Sequence, residues 1–219
     1  MLHIVATPIG EAHEISQRAL DILTAAEIII CESTKEASKL LRHFGISGKT
    51  FEVLNEHTTK EDLLALVPLC AEKNVALVSD CGTPGFCDPG ADLVGLCRQK
   101  GISVKSVLGP SALMGLLSLC GERIDEFVFR GFLPAETEAR KKALKELTKE
   151  KRAVILMDTP YRLKKILQDM KENFPQRKML MVMNLSQESE VSLEGTIDQI
   201  IKKNPHDKAE FMLMLYPTR

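Results

Sequence analysis

The 219-residue sequence has no excess of charge of either sign: 29 basic and 30 acidic side chains leave a formal net charge of −1. A general pull toward nucleic acid or membrane is thereby excluded, and any RNA contact has to be local. Metal-ligand spacing is missing too. The cysteines at 31, 70, 81, 87, 97 and 120 form no C-x-x-C pair and no cysteine–histidine pattern, so they read as reduced thiols, mostly small core residues, and no metal is expected. No run of about 20 apolar residues occurs, as a membrane-spanning helix would need. Met1-Leu2-His3-Ile4-Val5 opens directly into a strand, without the basic and apolar regions of a signal peptide. A cytoplasmic chain without membrane contact is expected. Neither G-x-G-x-x-G nor G-x-x-x-x-G-K-[ST] is present, so a dinucleotide-binding Rossmann unit and a P-loop lack support. Internal repeats and low-complexity linkers are absent as well.

What is present centres on residues 75–90, VALVSDCGTPGFCDPG. Val75-Ala76-Leu77-Val78 is a short apolar run of the kind found in buried parallel strands, and it breaks into Ser79-Asp80-Cys81-Gly82-Thr83-Pro84-Gly85. Asp88-Pro89-Gly90 reads as a helix start, with Asp88 as cap and Pro89 in the first turn. Open α/β sheets bind ligands outside the carboxyl ends of their strands, which marks this loop, unless it is merely a connecting turn. Around it, strands are predicted at 2–7, 27–31, 50–54 and 103–107, with amphipathic helices between them. Ser33 or Thr34 is available to cap the second helix, Thr58 and Glu61 have capping-box spacing, and Pro68 lies inside the third helix. Leu113, Met114, Leu116, Leu117 and Leu119 make an apolar helix expected to be buried and to end at Gly121.

The second half changes character: a strand and turn at 127–134 and strands at 153–157, 179–183, 190–194 and 210–216 accompany a charged helix near 135–151 and another for which Thr159-Pro160 reads as cap and first turn. The fold class is therefore α/β, as two α/β domains, 1–115 with a mostly parallel sheet and 116–219 with a mixed one. Four loops that follow strands carry glycine or proline: Thr7-Pro8-Ile9-Gly10, Asp80 to Gly85, Gly109-Pro110-Ser111-Ala112 and Asp158-Thr159-Pro160. Small residues there let a ligand approach the backbone.

The ordered motifs ATPIG (6–10), CEST (31–34), LNEH (54–57), VSDCGTPGFCDPG (78–90), GPSA (109–112), RGFLP (130–134), DTPYRL (158–163) and AEFMLML (209–215) span nearly the whole chain. This set resembles the tetrapyrrole methylase superfamily, and within it the family that methylates a cytidine 2′-oxygen of small-subunit ribosomal RNA. The resemblance implies S-adenosylmethionine folded into a cleft between two domains, usually of a homodimer. It places Pro8 in the pocket wall, Cys81, Gly82 and Thr83 at the amino-acid end, Phe86 as a cover, and Ser111 and Ala112 near the carboxylate or ribose. Met157, Leu185 and Ala209 would surround the adenine. Small-subunit RNA, or the small ribosomal subunit, is the implied partner, with Arg162 of DTPYRL on the substrate side.

The substrate-facing motifs depart from the family pattern more than the cofactor loops do. Where the family has E-D-T-R, this chain has Glu32-Ser33-Thr34-Lys35, and in the central loop Cys81 and Cys87 stand where alanine and serine are common. Many family members continue into a small third domain that has no counterpart up to Arg219. For a 2′-hydroxyl the enzyme needs a proton acceptor at the cleft mouth. Glu32, Glu56, His57 and Asp80 follow predicted strands and are candidates, each also readable as a cap or a paired surface charge; Asp80 equally suits orienting the Gly82–Thr83 turn. Lys35, Lys39, Arg42 and His43 belong to the helix of the second motif and are able to meet phosphate, and helical spacing puts the first three on one face. Methylation of a tetrapyrrole or another small molecule is the competing enzymatic reading, and a cofactor-binding protein without turnover is the non-enzymatic one.

Overall fold

A computed structural model describes residues 1–218, which divide into two compact units, Met1–Ser111 and Ala112 onward. In the first unit the strands β1 (Leu2–Val5), β2 (Ile28–Cys31), β3 (Thr50–Val53), β4 (Val75–Val78) and β5 (Val104–Val107) alternate with α1 (Gln17–Ala25), α2 (Thr34–His43), α3 (Lys60–Glu72) and α4 (Ala91–Gln99). All pairings are parallel, in the order β3-β2-β4-β1-β5. The expected parallel sheet is there, and its hydrophobic grammar explains the order: IIIC and VALV are buried along their whole length, as befits inner strands, whereas β3 is half exposed at an edge.

Helices α1 and α2 cover one face through Ala19, Leu23, Ala37 and Leu41, and α3 and α4 the other through Leu66, Cys70, Leu93 and Cys97. Because β4 leads to a helix on one face while its neighbours β1 and β2 lead to helices on the other, the chain parts on both sides of β4's carboxyl end. Such switch points are where open α/β sheets form crevices.

In the second unit β6 (Phe127–Gly131), β7 (Ala153–Asp158), β8 (Met179–Met183), β9 (Val191–Gly195) and β10 (Phe211–Leu215) form a mixed sheet ordered β6-β7-β10-β8-β9. Only β6 and β7 run parallel. Alternate residues serve two cores. Val154 and Leu156 pack with α6 (Thr137–Leu147), α7 (Leu163–Asn173) and α8 (Ile197–Lys203), while Ala153 and Ile155 pack with α5 (Ala112–Ser118). Among the described residues no helix is long and apolar enough to cross a membrane.

Four local expectations are corrected. The capping box of α3 is Thr59 with Asp62, not Thr58 with Glu61, because the Thr58 hydroxyl accepts the Asn55 N–H at 2.8 Å instead. Helix α4 begins after Gly90, so Asp88 and Pro89 stay in the loop; Gly90 holds φ at 141°, which an L side chain resists. Helix α5 is not buried all round: Leu116 is, but Met114 is 54% exposed, and the helix ends at Ser118, ahead of Gly121. Pro160 opens a 3₁₀ turn, Pro160–Arg162, and Thr159 gives no side-chain cap; the Asp158 carboxylate instead accepts the Thr159 N–H at 2.8 Å.

Gly90 carries a measurable consequence. A Cβ there would stand 2.8 Å from Leu77 Cδ2, inside the core under β4. Gly90→Ala is expected to lower stability by about 1–3 kcal/mol through backbone strain and this clash, read as a lower urea midpoint at unchanged slope.

Candidate active site

Three loops at the carboxyl edge of the first sheet are stitched together by their own polar groups. After β1, the buried Thr7 donates its N–H to Gly82 O at 2.8 Å, and its hydroxyl reaches Ser79 O at 3.1 Å and Gly82 O at 3.2 Å. After β4, Ser79 Oγ bonds Cys81 O at 3.3 Å and Gly82 O at 3.2 Å, and Cys81 Sγ lies 3.5 Å from Ile9 O. After β5, Pro110 O accepts the Thr83 hydroxyl at 2.9 Å. The sequence permits this closeness by withholding side chains. Gly109 approaches Ala6 so tightly that a Cβ would stand 2.9 Å from the alanine methyl. Gly82 and Gly85 take left-handed φ of 83° and 85°, and at Gly85 nothing lies within 4 Å of where a Cβ would stand. Gly82 and Pro84 are buried in this loop, while Cys81 and Thr83 are exposed and Gly85 is partly so.

On the other side of β4 lies a depression of about 540 Å³, lined by Glu32, Asn55, Glu56, His57, Cys87, Asp88 and Pro89. Glu32 follows β2, and burial, followed by repulsion from Asp88 and Asp80, pushes its carboxyl up to about 6; the Asp80 N–H opposes that rise. Burial raises Asp80 as well, against the Ser33 N–H, and Asp88 is raised by burial and then by Asp80. Three carboxyls therefore share one partly desolvated corner, and Glu32 is the one held near neutrality. A carboxyl so placed accepts a proton more readily than an ordinary surface carboxylate does. Glu56 and His57 are exposed at the rim, 3.6 Å apart.

The structure brings Pro8, Cys81, Gly82 and Thr83 together in the stitched loops, with Ser111 next to Pro110; Phe86, 63% exposed, stands beyond Gly85. Glu32, Glu56 and His57 meet in the depression, and Asp80 sits between it and the loops. Lys35, Lys39 and Arg42 lie exposed along α2. Asp88 was missed by the sequence reading, which took it for a helix cap; its signal was a second carboxylate in the loop after β4.

In the second unit Ala112 and Leu185 belong to one core, where Leu185 lies against Gly115, and Met157 is partly buried beside them. Ala209 is buried just before β10, in the opposite core. Arg162 is committed internally: its guanidinium donates to Leu133 O at 3.0 Å and Pro134 O at 3.2 Å and lies 3.3 Å from Asp158. It braces the turn after β6 rather than offering a free cation.

Residues 1–201 match the family model described as Tetrapyrrole (Corrin/Porphyrin) Methylases. The ribosomal RNA small subunit methyltransferase I of Vibrio cholerae serotype O1 is 39% identical over 225 residues, covering all of this chain and 78% of that protein. The protein of the same name from Leptospira biflexa is 32% identical, over 98% of this chain and 90% of its own. A crystal structure of diphthine synthase shares the fold at a TM-score of 0.72 and 15% identity, covering 99% of this chain and 90% of its own.

Proposed function

This chain belongs to the tetrapyrrole methylase family and is a methyltransferase, and on that premise we propose that it moves the methyl group of S-adenosylmethionine to a cytidine 2′-hydroxyl of small-subunit ribosomal RNA. The names of relatives at 32–42% identity support the acceptor. The observation that carries the chemistry is the pairing, around one strand end, of a glycine-bearing loop open at Gly85 with a carboxyl held at about 6. A cytoplasmic homodimer belongs to the same proposal, supported by the resemblance.

The residues present fit such a cofactor. Open space at Gly85, beside the exposed Cys81 and Thr83, leaves room for its amino-acid end, held by Pro8, Cys81, Gly82 and Thr83. Phe86 would close over it and exclude water, with Ser111 toward the ribose; the remaining residues that the resemblance implies, Ala112, Met157, Leu185 and Ala209, belong to the second unit, where Ala209 lies in the core opposite the other three. When bound, the cofactor supplies a methyl group already activated on a sulfonium. The chain's remaining task is to align the acceptor hydroxyl and take its proton. Glu32 takes that proton; Asp88 and Asp80 raise its affinity for it, and Glu56 and His57 line the approach. Lys35, Lys39 and Arg42 hold phosphates of the substrate strand.

Calorimetric titration with S-adenosylmethionine and S-adenosylhomocysteine tests the cofactor assignment. Saturable binding of both is expected. Absence of binding up to about millimolar concentration by folded protein, the weak end of useful affinities, would sink it.

A further inference from the structure

The 3₁₀ turn Ala12–Glu14 lies against the end of α2 and sets three rings together. His13 and His43 stand edge to face at 6.0 Å and 64°, His43 and Phe44 at 4.8 Å and 84°, and His13 and Phe44 at 6.4 Å and 81°. Phe44, partly buried against the core under α1 and α2, anchors the group; both imidazoles are exposed. The same helix presents Lys35, Lys39 and Arg42 within about 60° of arc, at 100° per residue, opposite the buried Ala37 and Leu41. These three cations make no ion pair among the described residues, whereas Lys141, Lys164 and Lys171 of α6 and α7 each hold a carboxylate. Nearby acids are Glu36, in the first turn of α2, and Glu11, which accepts the His13 N–H.

We propose that the His13–His43–Phe44 cluster and the Lys35–Lys39–Arg42 stripe form one surface that grips single-stranded RNA, an unpaired base stacking on the imidazoles while the cations meet its phosphates. The inference rests on the RNA reading above and adds to it a stacking platform at the far end of α2 from Glu32. Unpaired cations in a chain of net charge −1 give the local attraction that the composition as a whole withholds. Exposed rings beside them supply what single strands, and not duplexes, can use. Bases in an A-form duplex are stacked on one another and closed to such rings.

Binding of a fluorescein-labelled single-stranded oligocytidine and of a duplex RNA is followed by anisotropy across a salt series. The variants are His13→Ala/His43→Ala, His13→Phe/His43→Phe and Lys39→Ala/Arg42→Ala, each checked for fold by circular dichroism and for S-adenosylmethionine affinity. The histidine-to-alanine pair is expected to weaken single-strand binding about 5- to 150-fold, leave duplex binding unchanged, and be rescued by phenylalanine. Removing Lys39 and Arg42 is expected to weaken both and to lower the single-strand salt slope by about 1.4. Wild type that binds neither RNA overturns the RNA reading and the platform together. Wild type that binds single strands no better than its histidine-to-alanine variant overturns the platform alone.

Discussion

Glu32→Gln is expected to lower kcat/KM by about 10²- to 10⁴-fold, the usual contribution of a positioned general base, with cofactor affinity unchanged. The wild-type rate should rise with pH through about 6, as Glu32 loses its proton and becomes able to take one from the acceptor. Stability should move the other way. The fold raises Glu32 from an ordinary 4.5 to about 6, so it disfavours the ionised form. The resulting penalty is absent below 4.5 and fully present above 6, and wild-type stability contributed by this group falls across that window. At pH 8 the glutamine variant should therefore melt no lower than wild type while being nearly inactive. A variant that turns over as wild type does would remove Glu32 from the chemistry and leave Asp88 or Asp80 to be tested in its place.

Gly82→Arg is expected to weaken S-adenosylmethionine binding by at least about 100-fold, or about 2.8 kcal/mol, without unfolding the chain. A Cβ at Gly82 meets only Ile9 Cγ1 at 3.8 Å and Pro110 O at 3.9 Å, ordinary contacts that the loops tolerate. The cost to the fold is the left-handed φ of 83°, about 1–2 kcal/mol for an L residue. Beyond Cβ the arginine has to extend past the loop, where the cofactor's amino-acid end would lie. Gly82→Ala carries the same strain without that obstruction and should bind far better than the arginine variant, as titration calorimetry of the two would show. Equal affinity in both would mean that the loop lies outside the cofactor site.

Strands were legible wherever burial on both faces demanded an unbroken apolar run. Val75–Val78 and Met179–Met183 fall where the sequence puts them, since no helical period competes within so few residues. Helix starts were less legible because neighbouring residues compete for one role. Thr58 and Thr59 are both able to cap, and only the Asn55 N–H, which takes up Thr58, decides between them. At Asp88-Pro89-Gly90 the decisive quantity is the positive φ of Gly90, a backbone property that residue types leave open. The short apolar run of α5 concealed its exposed side for a related reason: composition alone does not say how many faces find partners.

Within the site, Glu32, Glu56 and Asp80 were marked by following strands, and their gathering around one depression follows from β2, β3 and β4 ending at the same sheet edge. Asp88 escaped because the cap reading accounted for it. His13 and His43 lie thirty residues apart, and only the packing of a 3₁₀ turn against α2 brings them together. Arg162 belongs to a family-like motif, yet the carbonyls of Leu133 and Pro134 claim its donors, which no local pattern reveals.

The most direct measurement supplies methyl-labelled S-adenosylmethionine with small ribosomal subunits lacking the modification, then digests the RNA to nucleosides. Label is expected in a ribose-methylated cytidine, at a rate that falls with Glu32→Gln. RNA free of label, from protein that binds the cofactor and methylates a tetrapyrrole or no acceptor at all, would contradict ribosomal RNA as the substrate.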